Sequence, residues 1–124
     1  MKIHASGEDY LESILKIERT KGVVRSVDVA NDLNVSKPSV SRAIHILAER
    51  GFIQIEDNVL ILSDSGRKIA EKIYERHVLF TDFLIQLGVD EAIASEDACR
   101  MEHTLSDESY AALKRFIEAH QVQQ

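Results

Sequence analysis

The chain contains little of what several large protein classes need. It has a single cysteine, Cys99, and a single proline, Pro38, and it has no tryptophan. One cysteine cannot form an internal disulfide, which is typical of proteins that work in the reducing cytoplasm. No apolar run approaches the roughly 18 residues that a membrane-spanning helix needs. Residues 1–5 lack the apolar segment of a signal peptide. We therefore expect a cytoplasmic protein without a membrane partner.

The net charge of −6 is distributed unevenly along the chain. Residues 1–76 contain 12 basic and 12 acidic residues, whereas residues 77–124 contain 3 basic and 9 acidic residues. DNA affinity depends on basic groups that reach phosphates rather than on total charge. The neutral N-terminal part therefore permits DNA binding without indicating it.

Apolar spacing and capping residues predict six helices and one β-hairpin. Ser6 is the predicted N-cap of the first helix. The hairpin is predicted from two β-rich runs, 52–56 and 59–62, which the polar pair Asp57-Asn58 separates. The predicted helices are 7–21, 26–33, 37–50, from 63 or 65 to about 86, 91–103, and 107 to about 120.

This order of elements predicts a mainly α fold with a small β-hairpin wing. We expect a winged helix-turn-helix domain over residues 1–72 and a helical domain over residues 73–124. No linker, repeat or low-complexity segment separates the two.

Three residues carry the helix-turn-helix signal. Ala30 is small enough for two helices to approach closely, Asn34 tolerates the left-handed conformation of a tight turn, and Val40 anchors the second helix to the core. The predicted buried face also includes Leu33, Val35, Ile44 and Leu47.

The second helix of this motif offers polar side chains that can bond to phosphates and base edges. Arg42 is the strongest candidate among them. An amphipathic helix pair with polar residues outside is also compatible with a surface hairpin or a protein-interaction module. The predicted DNA-binding residues are Lys37, Pro38, Ser39, Ser41, Arg42 and His45.

A second constellation lies near the C-terminus. Cys99, Glu102 and His103 have the spacing i, i+3 and i+4, which places three residues on one face of a helix. A thiolate, a carboxylate and an imidazole together form a metal-ligand set that mixes soft and hard donors. Helical bundles assemble metal sites from side chains on several helices, and Asp9, Glu12 and His77 are further potential ligands on two other helices.

Each of these residues also has a structural interpretation. Asp9 and Glu12 are acids near a helix N-terminus, which the helix dipole favours. A lone cysteine such as Cys99 is often a small apolar filler. His77 is compatible with a partly buried helix position, and Glu102 with a solvated one.

If the six residues do form a site, its four acidic ligands repel one another without a cation. One or two divalent ions would neutralise them and clamp the first helix, which belongs to the DNA-reading domain. Such an ion would bias a two-state element.

The chain resembles the diphtheria toxin repressor / manganese transport regulator family of bacterial metal-dependent repressors. The resemblance extends from about Ser6 to Phe116. It is carried by the segments EDYLE (8–12), VSKPSVS (35–41), ERH (75–77), ACRMEH (98–103) and LSDE (105–108). It implies a homodimer, a winged helix, a helical metal-binding and dimerisation domain, and repression of metal-uptake genes when Fe(II) or Mn(II) is bound.

The resemblance also implies a hybrid metal site. Asp9, Glu12 and His77 match ligand positions of the manganese branch, and Cys99 matches the iron branch. Glu102 and His103 suit both branches. Two further residues depart from the pattern, because Thr81 and Ser95 stand where an iron-type ancillary site would need a carboxylate and a histidine.

The sequence therefore predicts a metal-dependent DNA-binding repressor of metal-homeostasis genes. Fe(II) or Mn(II), one or two ions per subunit, would bind between the first helix and the helical domain, with Fe(II) slightly preferred because of the thiolate. The expected DNA partner is a palindromic operator, which a homodimer reads as two half-sites. The alternative is a metal-independent winged-helix regulator or interaction module with a structural or vestigial metal site. A metalloenzyme is less favoured because no base or nucleophile remains beside the ligands.

Overall fold

The computed structural model describes residues 5–121. Residues 1–4, part of the segment that lacks a signal-peptide pattern, lie outside that range. The elements are α1 (Ala5–Lys21), α2 (Ser26–Leu33), α3 (Lys37–Glu49), β1 (Ile53–Glu56), β2 (Val59–Leu62), α4 (Asp64–Gln86), α5 (Glu91–Met101) and α6 (Asp107–Ala119). The chain divides into two compact units between Lys72 and Ile73. Within residues 5–121, no helix is both long and apolar enough to cross a membrane.

The first unit is a three-helix cluster with a hairpin. Its core contains one apolar stripe from each helix and the inward side chains of the hairpin. Asn34 ends α2 with φ 55° and ψ 50°, and Ala30 and Val40 are buried on either side of that turn. The predicted helix-turn-helix geometry is therefore present. Val35 was wrongly assigned to the buried face, because its side chain is 37% exposed.

The hairpin follows the predicted pattern. β1 and β2 pair antiparallel, with Glu56 opposite Val59. The two residues between them, Asp57 and Asn58, both have positive φ, and a two-residue turn of type I′ requires this conformation. The predicted strand at 52–56 begins one residue later, at Ile53.

The sequence predicted capping residues for the starts of α1 and α4. α1 is described from Ala5, so the predicted N-cap Ser6 lies within the helix. At α4, Ser63 rather than Ser65 is the capping residue, because its hydroxyl accepts a hydrogen bond from Gly66 N at 3.1 Å. Arg67 in the same turn makes two hydrogen bonds to the carboxylate of Glu18. These bonds lower the pKa of Glu18 below its usual value.

The second unit contains most of α4 together with α5 and α6. Phe80, Ala98 and Tyr110 form its buried cluster, one residue from each helix. The rings of Phe80 and Tyr110 meet edge to face with centroids 5.8 Å apart. This contact fixes α4 against α6.

Gly66 allows α4 to pass close to the backbone of Phe52. A Cβ at Gly66 would overlap the carbonyl oxygen of Phe52, which already accepts a hydrogen bond from Ser63 N. We therefore expect Gly66→Ala to lower the free energy of unfolding by about 1–3 kcal/mol, as overpacking does. Urea titration of the full chain measures this change in the free energy of unfolding.

The exposed Lys68 provides the control in the same helical turn. Lys68→Ala should change the free energy of unfolding by less than about 0.5 kcal/mol. Alanine is intrinsically a better helix former than glycine by about 1 kcal/mol, so a stabilised Gly66→Ala variant would contradict the steric explanation.

Candidate metal centre and nucleic-acid interface

The second unit brings three of the predicted metal ligands together. His77 lies in the middle of α4, and Glu102 and His103 follow the end of α5. The Nδ1 atom of His77 is 3.4 Å from Oε1 of Glu102, and the Nε2 atom of His103 is 3.9 Å from the same oxygen. One carboxylate is thus flanked by two imidazoles from different segments of the chain.

The local fold of α5 accounts for the position of Glu102. The Asp90 carboxylate caps the helix by accepting a hydrogen bond from Ala92 N. The helix ends at Met101, two residues before the predicted end, and Glu102 is its C-cap. Glu102 N still donates to Ala98 O at 3.0 Å. Glu102 keeps right-handed helical φ and ψ at this cap, so its carboxylate projects from the last turn of α5, where the connection to α6 begins.

The environment of Glu102 fits a cation. Its side chain is fully buried, at 0% exposure. Within residues 5–121, neither carboxylate oxygen receives a hydrogen bond. A buried carboxylate without donors is costly unless a cation compensates it. Two donor atoms that share an ion at ~2.1 Å lie about 3–4 Å apart, which matches both distances to the imidazoles.

The other three predicted ligands are placed less decisively. Cys99 is exposed on α5, although it was predicted to share a face with Glu102. On α1, Asp9 is half-buried and Glu12 is only 5% exposed. α1 belongs to the other compact unit. Cys99, Asp9 and Glu12 therefore remain predictions.

Thr81 on α4 and Ser95 on α5, the two residues that depart from the iron-type pattern, both follow His77 in the sequence. Ser95 Oγ lies 3.5 Å from Nε2 of His77, the ring nitrogen that does not approach Glu102. The Thr81 hydroxyl is buried one turn further along α4. A hydroxyl on the distal ring nitrogen is the kind of partner that orients a metal-binding histidine. Ser95 thus contacts the predicted ligand His77 and adds no carboxylate or imidazole of its own.

Arg76 is a residue of this region that the sequence reasoning missed. Its side chain is only 2% exposed, and it donates to backbone carbonyls of the α5–α6 turn. A signal was present, because Arg76 occupies a core-facing position of α4 in register with Ala70, Ile73 and Phe80. A charged residue in an apolar stripe predicts a buried polar network.

Glu75, the neighbour of Arg76, joins α4 to α6. The Tyr110 hydroxyl donates to Glu75 Oε2 at 2.7 Å, and Lys114 Nζ lies 3.2 Å from Oε1. The hydrogen bond from Tyr110, followed by that from Lys114, lowers the pKa of Glu75. Burial, reinforced by the bond to Glu75, raises the pKa of Tyr110. Both groups therefore keep a fixed protonation state near neutral pH.

The predicted DNA-reading surface lies on α3 of the first unit. Ser36 caps this helix by accepting a hydrogen bond from Ser39 N, and Pro38 lies in the first turn. Ser39 is half-buried, and its hydroxyl accepts a bond from Ser36 Oγ at 2.8 Å. The remaining predicted contacts are exposed: Lys37, Pro38, Ser41, Arg42 and His45.

The ring of His45 is tied to its own helix. Its Nδ1 atom lies 2.7 Å from Ser41 O. A carbonyl can only accept, so Nδ1 carries the proton of this contact. A neutral His45 therefore presents Nε2 as an acceptor, suited to a base amino group rather than to a phosphate.

The wing is anchored to the start of α2. Leu60 N donates to Val24 O at 2.8 Å. The Arg25 guanidinium also donates to Asp57 O at the tip of the hairpin, at 3.4 Å. The wing tip is thus held in place beside the N-terminal end of the helix-turn-helix.

Two family models together match almost the whole chain. The iron dependent repressor N-terminal DNA binding domain matches residues 2–58. The iron dependent repressor metal binding and dimerisation domain matches residues 63–123. These matches confirm the resemblance inferred from the sequence motifs and the winged-helix fold with a helical domain.

Named relatives agree with the family models. The transcriptional regulator MntR of Escherichia coli O6:H1 is 39% identical over 114 residues, which cover 91% of this chain and 74% of MntR. The crystal structure of the metal-dependent transcriptional regulator MtsR is 31% identical with a TM-score of 0.82, and it covers 90% of this chain and 53% of MtsR. A manganese-dependent transcriptional repressor solved in complex with manganese is 29% identical with a TM-score of 0.81, at 90% and 52% coverage. The chain thus spans about half the length of these solved structures.

Proposed function

The chain belongs to the iron-dependent repressor family of metal-dependent transcriptional regulators, and from this membership we propose that it is a metal-activated repressor of metal-homeostasis genes. One observation carries the metal part of the proposal. Glu102 is a fully buried carboxylate with an imidazole nitrogen at 3.4 Å and another at 3.9 Å. An arrangement of this kind is stabilised by a cation.

We propose that the effector is Mn(II) or Fe(II), at one or two ions per subunit. Carboxylate oxygens suit Mn(II), whereas imidazole nitrogens suit Fe(II) and later metals. The sequence-based preference for Fe(II) rested on the Cys99 thiolate, and that thiol is exposed while the carboxylate is buried. Manganese in the name of a similar repressor supports including Mn(II).

The proposed ligands fall into two groups by their support. His77, Glu102 and His103 are supported by measured distances within the second unit. The resemblance of the sequence supports the remaining three: Asp9, Glu12 and Cys99. When bound, the ion would neutralise the negative charge of the carboxylates, and any thiol that ligates it would lose its proton and bind as the thiolate.

The proposed coupling to DNA follows from where the ligands lie along the chain. Residues 1–72 would read DNA, and residues 73–124 would bind metal and dimerise. If the ion takes Asp9 and Glu12 of α1 as well as Glu102 as ligands, it binds more tightly to a conformation in which all three can reach it than to one in which they cannot. Such a ligand shifts the population toward the state that it binds better.

We propose that the DNA target is a palindromic operator and that the protein acts in the cytoplasm. A two-fold symmetric dimer reads two half-sites related by the same symmetry. The exposed residues of α3, with Arg42 foremost, would lie in the major groove.

Removing the metal tests this function. Duplexes that bind the protein in the presence of Mn(II) are first selected from a random-sequence library. Their affinity is then measured by fluorescence anisotropy at constant ionic strength, with Mn(II), with Fe(II) under anaerobic conditions, or with a chelator. We expect the chelator to weaken DNA binding by about 5- to 150-fold, the usual range of allosteric coupling. Equally tight binding in chelator would instead support a metal-independent regulator.

A further inference from the structure

We propose that Arg76 is a positioning residue of the metal site, which holds the turn that carries Glu102 and His103 in its ligand-ready conformation. This inference rests on the proposed function of the same site. Arg76 is not itself a proposed ligand. It would fix Glu102 and His103 relative to His77, the next residue along α4.

The guanidinium of Arg76 bonds to the α5–α6 turn at two points and to the first residue of α6. Its Nη1 atom donates to Glu102 O at 3.2 Å and to Leu105 O at 2.9 Å. Its Nη2 atom donates to Oδ1 of Asp107 at 2.8 Å. The planar fork of an arginine binds several acceptors at fixed angles, which a single ammonium cannot do. One side chain therefore ties together the start of the turn, its end and the first residue of α6.

Arg76 is itself held rigidly. Its side chain is buried, and its guanidinium carbon lies 4.7 Å from the centre of the Tyr110 ring. Tyr110 packs against Phe80 and bonds to Glu75. The packed guanidinium therefore restrains the turn to which it is bonded.

The turn is also held by local hydrogen bonds and by Met101 and Leu105, which pack against the cluster of Phe80, Ala98 and Tyr110. Glu102 N bonds to Ala98 O, and Thr104 N and Oγ1 both donate to Met101 O at 3.3 and 3.2 Å. These bonds are local and hold the turn to the end of α5. The bond from Arg76 to Glu102 O ties the backbone of Glu102 directly to α4, the helix of His77. Losing it would allow Glu102 and His103 to shift relative to His77.

The test compares Arg76→Met with wild type in the full chain. Methionine keeps an unbranched side chain and removes the fork. Mn(II) affinity is measured by calorimetry, at a temperature where circular dichroism shows both metal-free proteins folded. We expect Arg76→Met to bind Mn(II) about 10- to 100-fold more weakly, the usual effect of losing an outer-shell partner. The absorption spectrum of the Co(II)-loaded protein should also change, since it reports ligand geometry.

Arg100→Met provides the matched control. Arg100 is an arginine of the same unit, but it is exposed and its ion pairs with Glu96 and Asp97 lie on the surface. Its loss should leave the Mn(II) affinity and the Co(II) spectrum unchanged. Arg76→Lys should fall between wild type and Arg76→Met, because lysine keeps the charge but donates from a single nitrogen and cannot reproduce the spacing of two guanidinium nitrogens.

The outcomes separate this inference from the proposed function. If wild type itself does not bind Mn(II) or Fe(II), the proposed function fails. If wild type binds, and a folded Arg76→Met binds with wild-type affinity, Arg76 has only a structural role and the inference is overturned. If Arg76→Met does not fold, wild-type affinity and an unchanged Co(II) spectrum in Arg76→Lys overturn it equally.

Discussion

Glu102→Gln is expected to abolish the response to metal while leaving the fold intact. Glutamine has nearly the shape of glutamate but is neutral and binds divalent cations weakly. Glu102 is the carboxylate that both imidazoles approach. Its loss should weaken Mn(II) binding by at least about 100-fold, because losing a ligand costs at least as much as losing an outer-shell partner, which costs about 10- to 100-fold. DNA affinity should then be the same with Mn(II) and with chelator.

The same substitution should also change thermal stability, in opposite directions without and with Mn(II). Without metal, the wild-type protein keeps a fully buried carboxylate that receives no hydrogen bond from residues 5–121. A buried charge without donors costs more than a buried amide. Metal-free Glu102→Gln should therefore be at least as thermally stable as metal-free wild type. In excess Mn(II) the order should reverse, because only wild type gains the linkage stabilisation of a bound ligand.

Glu118→Gln on α6 is the control, since Glu118 is exposed. It should change neither the Mn(II) affinity nor the thermal midpoint. Wild-type Mn(II) affinity in Glu102→Gln would show that the ion binds elsewhere, and the metal centre proposed around Glu102 would have to be abandoned.

Arg42→Ala is expected to produce the largest loss of DNA binding among single substitutions on α3. Arg42 is exposed in the middle of the helix that follows the Asn34 turn. A specific base contact from arginine is worth about 1–3 kcal/mol. A dimer loses two such contacts, so operator affinity should fall by roughly 30-fold or more. Fluorescence anisotropy in saturating Mn(II) measures the loss.

The pattern of the loss identifies the kind of contact. If Arg42 binds a base, specificity should relax at one position of each half-site. If it binds a phosphate, affinity should fall evenly across sequences and the salt dependence should become shallower. Arg50→Ala, at the C-cap of the helix, should change the affinity less than twofold. An Arg42→Ala variant with wild-type affinity and specificity would mean that α3 is not the reading helix.

Much of the first unit could be predicted from the sequence because its signals are local. Asn34 makes its turn through its own φ and ψ, and Asp57 and Asn58 do the same for the wing. Ser36 caps α3 through a bond three residues away. Predictions of this kind need only neighbouring residues, so the winged helix and the exposed polar face of α3 followed from the order and spacing of residues.

The burial of one helix-turn-helix residue was misassigned from its residue type. Val35 looks like a core residue by type, yet it is 37% exposed because it follows a turn. Cys99 and Glu102 have the spacing of one helical face, and Glu102 keeps helical φ and ψ of −63° and −22° at the C-cap of α5. The thiol is nevertheless exposed and the carboxylate buried, and spacing along one helix cannot decide this.

The sequence by itself determined the family, the order of the elements and the types of donor atoms available to a metal. Only the tertiary structure decided which donors meet. His77 and Glu102 are 25 positions apart, and Arg76 reaches the turn that carries Glu102 from the adjacent position on α4. Contacts over that separation depend on how α4, α5 and α6 pack around Phe80 and Tyr110, and packing of this kind is a property of the whole unit rather than of any segment within it.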